Sequence, residues 1–140
     1  MSGFSFVLFI PTILIYGVLI TNLNTQIGQP CASTDNFAIT TFDITPYPPT
    51  LGKTSNITII GKTLHTIDFG QIIYAIENQY QQWFYQYQTI NQTYSKNLVL
   101  NFNYTLTWPN SSGNYLSQVT IHEQAKQYII DACWTFAFSL

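Results

Sequence analysis

Beyond its first thirty positions this chain alternates apolar and polar residues over most of its length. The cleanest run is Leu98 to Trp108, where Leu98, Leu100, Phe102, Tyr104, Leu106 and Trp108 share one side, and Asn101, Asn103, Thr105 and Thr107 the other. A period of two predicts a strand with one buried face. Turn-favouring residues follow in Pro109-Asn110-Ser111-Ser112-Gly113-Asn114. The C-terminal stretch alternates in the same way. It predicts Tyr128, Ile130, Ala132, Trp134, Phe136 and Phe138 inward, with Asp131, Thr135 and Ser139 outward. Further strands are predicted at Phe37–Thr45, Ser55–Leu64, Thr66–Glu77, Gln81–Ile90 and Leu116–Glu123. A helix over Gln71–Gln88 is the alternative, but the Tyr, Phe, Trp and Ile content there favours strand. The prolines of Pro46-Tyr47-Pro48-Pro49 lack amide donors, so that run belongs at an edge or in a connection. Seven strands with turn signals every 8–12 residues or so predict an all-β, immunoglobulin-like two-sheet β-sandwich.

The N-terminus follows a different pattern. Phe4 to Leu23 is mostly apolar, and the first charged side chain is Asp35. About 20 apolar residues match the thickness of a bilayer core, so a hydrophobic helix is expected within residues 1–30. It is either a cleaved signal peptide or a retained signal anchor. No Lys or Arg precedes it, and Thr21–Gln26 offers no small-residue cleavage site of the usual kind. Both routes send residues 31–140 to the non-cytosolic side of a membrane: secreted, in an endomembrane or lysosomal lumen, or membrane-anchored and facing away from the cytosol. Those 110 residues suffice for one domain.

Composition narrows the classes of function. Charged residues make up 7 % of the chain and aromatic residues 16 %, with a net charge of −2. There is no Arg, and Lys53, Lys62, Lys96 and Lys126 are the only Lys residues. Nucleic-acid binding needs clustered cations, so it is excluded; bidentate guanidinium recognition of phosphate is excluded too. His65 and His122 have no second ligand at metal spacing, and no nucleophile motif, carboxylate pair or phosphate loop stands out. The sequence reads as that of a non-enzyme without a metal or cofactor. Its two cysteines, Cys31 and Cys133, lie 102 positions apart and suit one disulfide, or else two buried thiols. Glycosylation sequons begin at Asn56, Asn91, Asn103 and Asn110, in keeping with export.

The order of these features resembles a known family: an apolar leader, Cys31, a strand, the Pro46–Pro49 run, a turn containing Gly52, the Asn56-Ile57-Thr58-Ile59 strand, and Cys133-Trp134 opening the last strand. It is similar to the ML lipid-recognition domain, the fold of the Niemann–Pick type C sterol carrier and of phosphatidylglycerol/phosphatidylinositol transfer proteins. The resemblance covers roughly Cys31 to Leu140. It implies a sterol or acyl chain held between two splayed sheets, Cys31 and Cys133 joined as the domain-closing disulfide, and Trp134 beside the cavity. The further loop disulfides of the sterol carriers have no cysteines to form them here.

On this reading Phe102, Tyr104, Trp108, Trp134, Phe136, Phe138, Tyr85 and Tyr74 are the candidate lipid-lining residues. Each such ring offers roughly 150–250 Å² of surface. The alternative is that they fill a closed core. Trp83, Tyr85 and Tyr87 alternate with Gln82, Phe84 and Gln86, so both faces of that strand carry rings, and one face suits an entrance lip or a contact surface. Two functions follow. One is the binding and transfer of a sterol or phospholipid, with the lipid as ligand and a membrane surface as partner. The other is a membrane-anchored accessory or structural subunit whose sandwich contacts a larger assembly.

Overall fold

The computed structural model describes residues 26–31 and 36–140. Most of the expected N-terminal hydrophobic helix falls outside them. The described chain is all β: β1 (Gln29–Pro30), β2 (Phe37–Thr45), β3 (Thr54–Thr63), β4 (Ile67–Asn78), β5 (Trp83–Tyr94), β6 (Val99–Thr107), β7 (Asn114–Glu123) and β8 (Ile130–Ser139). They form a five-stranded sheet in the order β1-β8-β7-β4-β5 and a three-stranded sheet in the order β2-β3-β6. Every pairing is antiparallel. The chain crosses between sheets after β1, β3, β5 and β6, so the two layers are interlocked. The Pro46–Pro49 run is the connection between β2 and β3.

Alternation determines what is buried. In β3, Ser55, Ile57, Ile59, Gly61 and Thr63 face inward, and in β4 Ile72, Tyr74 and Ile76 do the same. Phe42 and Ile44 of β2, Phe102 and Leu106 of β6, Val119 and Ile121 of β7, and Trp134, Phe136 and Phe138 of β8 complete the layer between the sheets. A fully buried aliphatic side chain contributes about 1.5–3 kcal/mol, which fixes each strand's register against a one-residue slip.

The structure changes the sequence reading in three places. First, an eighth strand exists. Gln29 and Pro30 pair with Thr135 and Trp134, and Ile27 packs against the core, so the sandwich includes residues before Cys31. Second, the inward pattern of β8 starts later than expected. Ile121 pairs with Ala132 but His122 pairs with Ile130, which leaves Asp131 as the extra residue of a β-bulge. Asp131 is therefore fully buried, whereas Ile130 and Tyr128 are exposed, the latter at 80 %. Third, the sheets are not splayed along their length. Phe42 stacks on Trp134 with centroids 5.6 Å apart, Trp108 meets Phe138 at 4.9 Å, and Tyr74 stacks on Tyr104 at 4.4 Å. Sheets packed about 10 Å apart leave room for one interdigitated layer of rings, and these rings fill it.

Cys31 and Cys133 form a disulfide with Cα atoms 5.3 Å apart. Cys133 alternates with the inward Ala132 and Trp134, so the bridge lies toward the outer face of the larger sheet, beside the Gln118 amide. The Cys31 N–H also donates to the Cys133 carbonyl at 3.2 Å. Trp134 adds a further tie, its indole N–H donating to the Ile27 carbonyl at 2.8 Å. Gly28 permits this close approach. Its φ is +82°, and a Cβ there would collide with the Thr135 carbonyl oxygen.

Candidate functional site

Where the edges of the two sheets meet, β5 runs beside β6. Gln86 of β5 faces Thr107 of β6: its Oε1 accepts from the Thr107 N–H at 3.0 Å, and its Nε2 donates to the Thr107 carbonyl at 2.7 Å. Two residues further on, Gln88 donates to the Asn103 carbonyl at 3.1 Å and accepts the Tyr74 hydroxyl at 2.9 Å. The seam is thus closed by side-chain amides rather than by a backbone ladder. Burial, reinforced by the neighbouring Tyr104, holds the Tyr74 phenol far above its ordinary pKa, so Tyr74 remains a donor.

Beyond Gln86 the seam opens. Ile76 of β4, Phe84 and Gln86 of β5, Thr107 of β6 and the following Trp108-Pro109-Asn110-Ser111 line a cleft of about 490 Å³. None of these residues is charged. Trp108 is held rigidly: its indole N–H donates to the Ser55 hydroxyl at 2.8 Å, which in turn donates to the Pro46 carbonyl at 2.8 Å. Phe84, 49 % exposed, is a second apolar ring of the lining. Ligand pockets typically span about 300–1,000 Å³ and combine an apolar lining with a few polar groups. The dimensions and chemistry here match that description.

Of the eight rings proposed from sequence as lipid-lining, Trp108 alone lines this cleft. Phe102 belongs to a cluster with Phe37, Phe69 and Tyr94. Trp134 and Phe136 pack on Phe42, and Phe138 stacks on Tyr115. Tyr74 and Tyr104 stack on each other near the seam. Tyr85 differs most from expectation, because it lies with Trp83 and Tyr87 on the outer face of the larger sheet and is 52 % exposed. Phe84 and Ile76 were not singled out from sequence as lining residues. The signal for Phe84 is its place in the alternation of β5, on the same face as the inward-reaching Gln86 and Gln88.

The four sequon asparagines are all exposed. Asn56 and Asn103 lie on the outer face of the smaller sheet, where each accepts a hydrogen bond from a threonine of the neighbouring strand, Thr105 and Thr58 respectively. Asn110 is on the cleft rim.

At the other end of β8, the Asp131 carboxyl accepts from the Asn36 amide at 2.8 Å, and its second oxygen has no partner among the described residues. Burial pushes its pKa up to about 6, against the Asn36 hydrogen bond, with Glu123 adding to the rise and His122 opposing it. His122 bonds the Gln127 carbonyl and the Thr120 hydroxyl. Among the described residues no three His, Cys, Asp or Glu side chains gather as metal ligands.

No protein-family model matches this chain. The search of curated proteins likewise returns no match. Neither comparison identifies an ML lipid-recognition domain, so the functional reading rests on the residues and geometry above.

Proposed function

We propose that this chain is a non-enzymatic lipid-binding β-sandwich that takes a sterol or the acyl chain of a phospholipid into the β5/β6 seam and carries or presents it. The observation that carries the reading is the uncharged cleft of about 490 Å³, in which the indole of Trp108 and the ring of Phe84 form apolar walls between the sheets. Burial of hydrocarbon is worth roughly 0.8 kcal/mol per CH₂ before the cost of ordering the ligand. Affinity for a lipid tail therefore needs no cation, which accords with a chain that lacks Arg. Two further features support the reading. The antiparallel sheets β2-β3-β6 and β8-β7-β4-β5 support the immunoglobulin-like sandwich that strand number and spacing suggest. The disulfide accords with a secreted or lumenal location.

In this closed form the interior is full of rings, so a long tail enters by parting the glutamine-latched seam rather than by filling a ready-made void. Native mass spectrometry of gently purified protein tests the proposal. A co-purified lipid, or uptake of added sterol or phospholipid, is the expected result. A mass equal to that of the glycosylated polypeptide alone, with no uptake of either lipid, overturns it.

A second reading, an anchored contact module, is favoured by one observation: Trp83, Tyr85 and Tyr87 form an exposed row on the outer face of the larger sheet. Retention of the N-terminal segment in protein isolated from its source, together with failure to take up lipid, would favour that reading over the carrier.

A further inference from the structure

Strand β5 is an open edge of unusual character. It ends the five-stranded sheet, is paired on one side by β4 and, among the described residues, has no strand on the other. Its 12 residues contain no charge and no proline. Sheet edges ordinarily avoid pairing by being short, charged, kinked or covered. The neighbouring β6 edge shows such cover, because the Gln86 and Gln88 amides occupy its Thr107 and Asn103 backbone groups. β5 has no comparable cover among the described residues.

We propose that β5 is the contact edge of a homodimer, pairing antiparallel with β5 of a second copy about a twofold axis at Gln86. The two five-stranded sheets then become one continuous sheet. This register sets Tyr85 opposite the partner's Tyr87, and Trp83 opposite the partner's Thr89. It extends the existing row of stacked rings, now spaced 6.2 and 6.4 Å apart, across the junction. Like charges placed opposite one another destabilise paired strands, and this strand has none to oppose itself. Self-pairing also needs a flat edge. Asn91, with φ of 48°, sits at the register break between β4 and β5, so the flat stretch ends before the Asn91 sequon and leaves a glycan there outside the junction.

The area is adequate. Trp83, Tyr85 and Tyr87, the rings of the outer-face row, are 38 to 54 % exposed. At roughly 150–250 Å² per ring, they offer up to about 350 Å² per copy, or about 700 Å² per pair. The paired backbone brings the total near the roughly 1,000 Å² at which specific interfaces begin. The proposal does not depend on what the cleft binds.

Sedimentation of the full chain over a range of concentrations, in detergent where the apolar leader is present, should show a dimer. Tyr87→Lys places an ammonium group in the junction and should weaken association at least tenfold. As an independent readout, protein carrying Tyr85→Cys is mixed with protein carrying Tyr87→Cys. A disulfide-linked heterodimer should form in the mixture and far less in either variant alone, and this readout stands even if the lysine variant fails to fold. A chain that stays monomeric at every concentration overturns the proposal, as does a dimer that tolerates Tyr87→Lys and gives no mixed cross-link. A different protein bound at β5 while this chain alone stays monomeric also overturns it.

Discussion

Gln86 holds Thr107 by both of its backbone groups at once, the amide accepting from N–H and donating to C=O. A side chain here makes the pair of bonds that a neighbouring strand's peptide group would otherwise make. It joins the two sheets at the cleft without making them one sheet, and it can let go without breaking a strand.

The first prediction concerns that latch. Gln86→Ala removes both bonds and should lower stability by about 1–2 kcal/mol. Hydrogen–deuterium exchange at the Thr107 amide should accelerate more than at Leu106 or Phe102, which remain within the β3–β6 sheet. Unchanged protection at Thr107 would show that the seam is held by something else.

A second prediction separates binding from folding. Phe84 is half exposed, so Phe84→Ala should leave the thermal midpoint nearly unchanged, as is usual for substitutions outside the core. Lipid uptake should fall about tenfold, the effect of losing about 1.4 kcal/mol of apolar contact. Phe102→Ala should do the opposite, costing about 3–5 kcal/mol of stability because it empties part of the packed interior. If Phe84→Ala binds lipid normally, the cleft is not the site.

Much of the architecture could be read from the sequence. The predicted and observed bounds of β2 coincide at Phe37–Thr45, because Pro46 ends its alternation sharply. β3, β4 and β6 shifted by only a residue or so at their ends. What could not be read depends on the third dimension. Period-two reasoning assumes an unbroken register, so the single extra residue at Asp131 reversed the faces assigned before it. β1 is two residues long and exists only because β8 runs beside it. Alternation also told which rings face inward, but not how far apart the sheets stand. The inward positions of Phe102, Trp134, Phe136 and Phe138 were therefore legible, and their mutual contact was not. The cleft is made by Phe84 and Trp108, 24 positions apart, where two sheet edges meet.

Asp131 gives a third prediction, with a definite sign. Its carboxyl, raised to about 6 in the folded protein, titrates near 3.8 when unperturbed. Between those values the folded state binds more protons than the unfolded one. Its contribution to stability is therefore fully present below about pH 4 and is lost as pH rises through about 6. The change should be on the order of 3 kcal/mol, about 1.4 kcal/mol for each pKa unit. Asp131→Asn should melt higher than the parent at pH 7.5 and lose that advantage near pH 4.5. Parallel pH–stability curves for the two proteins would refute the assignment.

The fourth prediction concerns the sulfur bridge. Replacing Cys31 and Cys133 together by Ser should cost about 4–5 kcal/mol in the chain-entropy account of a loop near 100 residues. That is a large part of the typical 5–15 kcal/mol margin. Because Trp134 still donates to the Ile27 carbonyl and β1 still pairs with β8, the variant should retain its far-ultraviolet β signal at low temperature. A variant as heat-stable as the parent would contradict this.

The tie between Cys31 and Cys133 also has a mechanical consequence. Tension applied through Gln26 passes from Cys31 across covalent sulfur into the middle of the larger sheet's strand β8, and the 101 residues between the two cysteines bear none of it. If the leader tethers this protein to a bilayer, a pull that would unzip an unbridged sandwich from its first strand leaves the β5/β6 seam at rest.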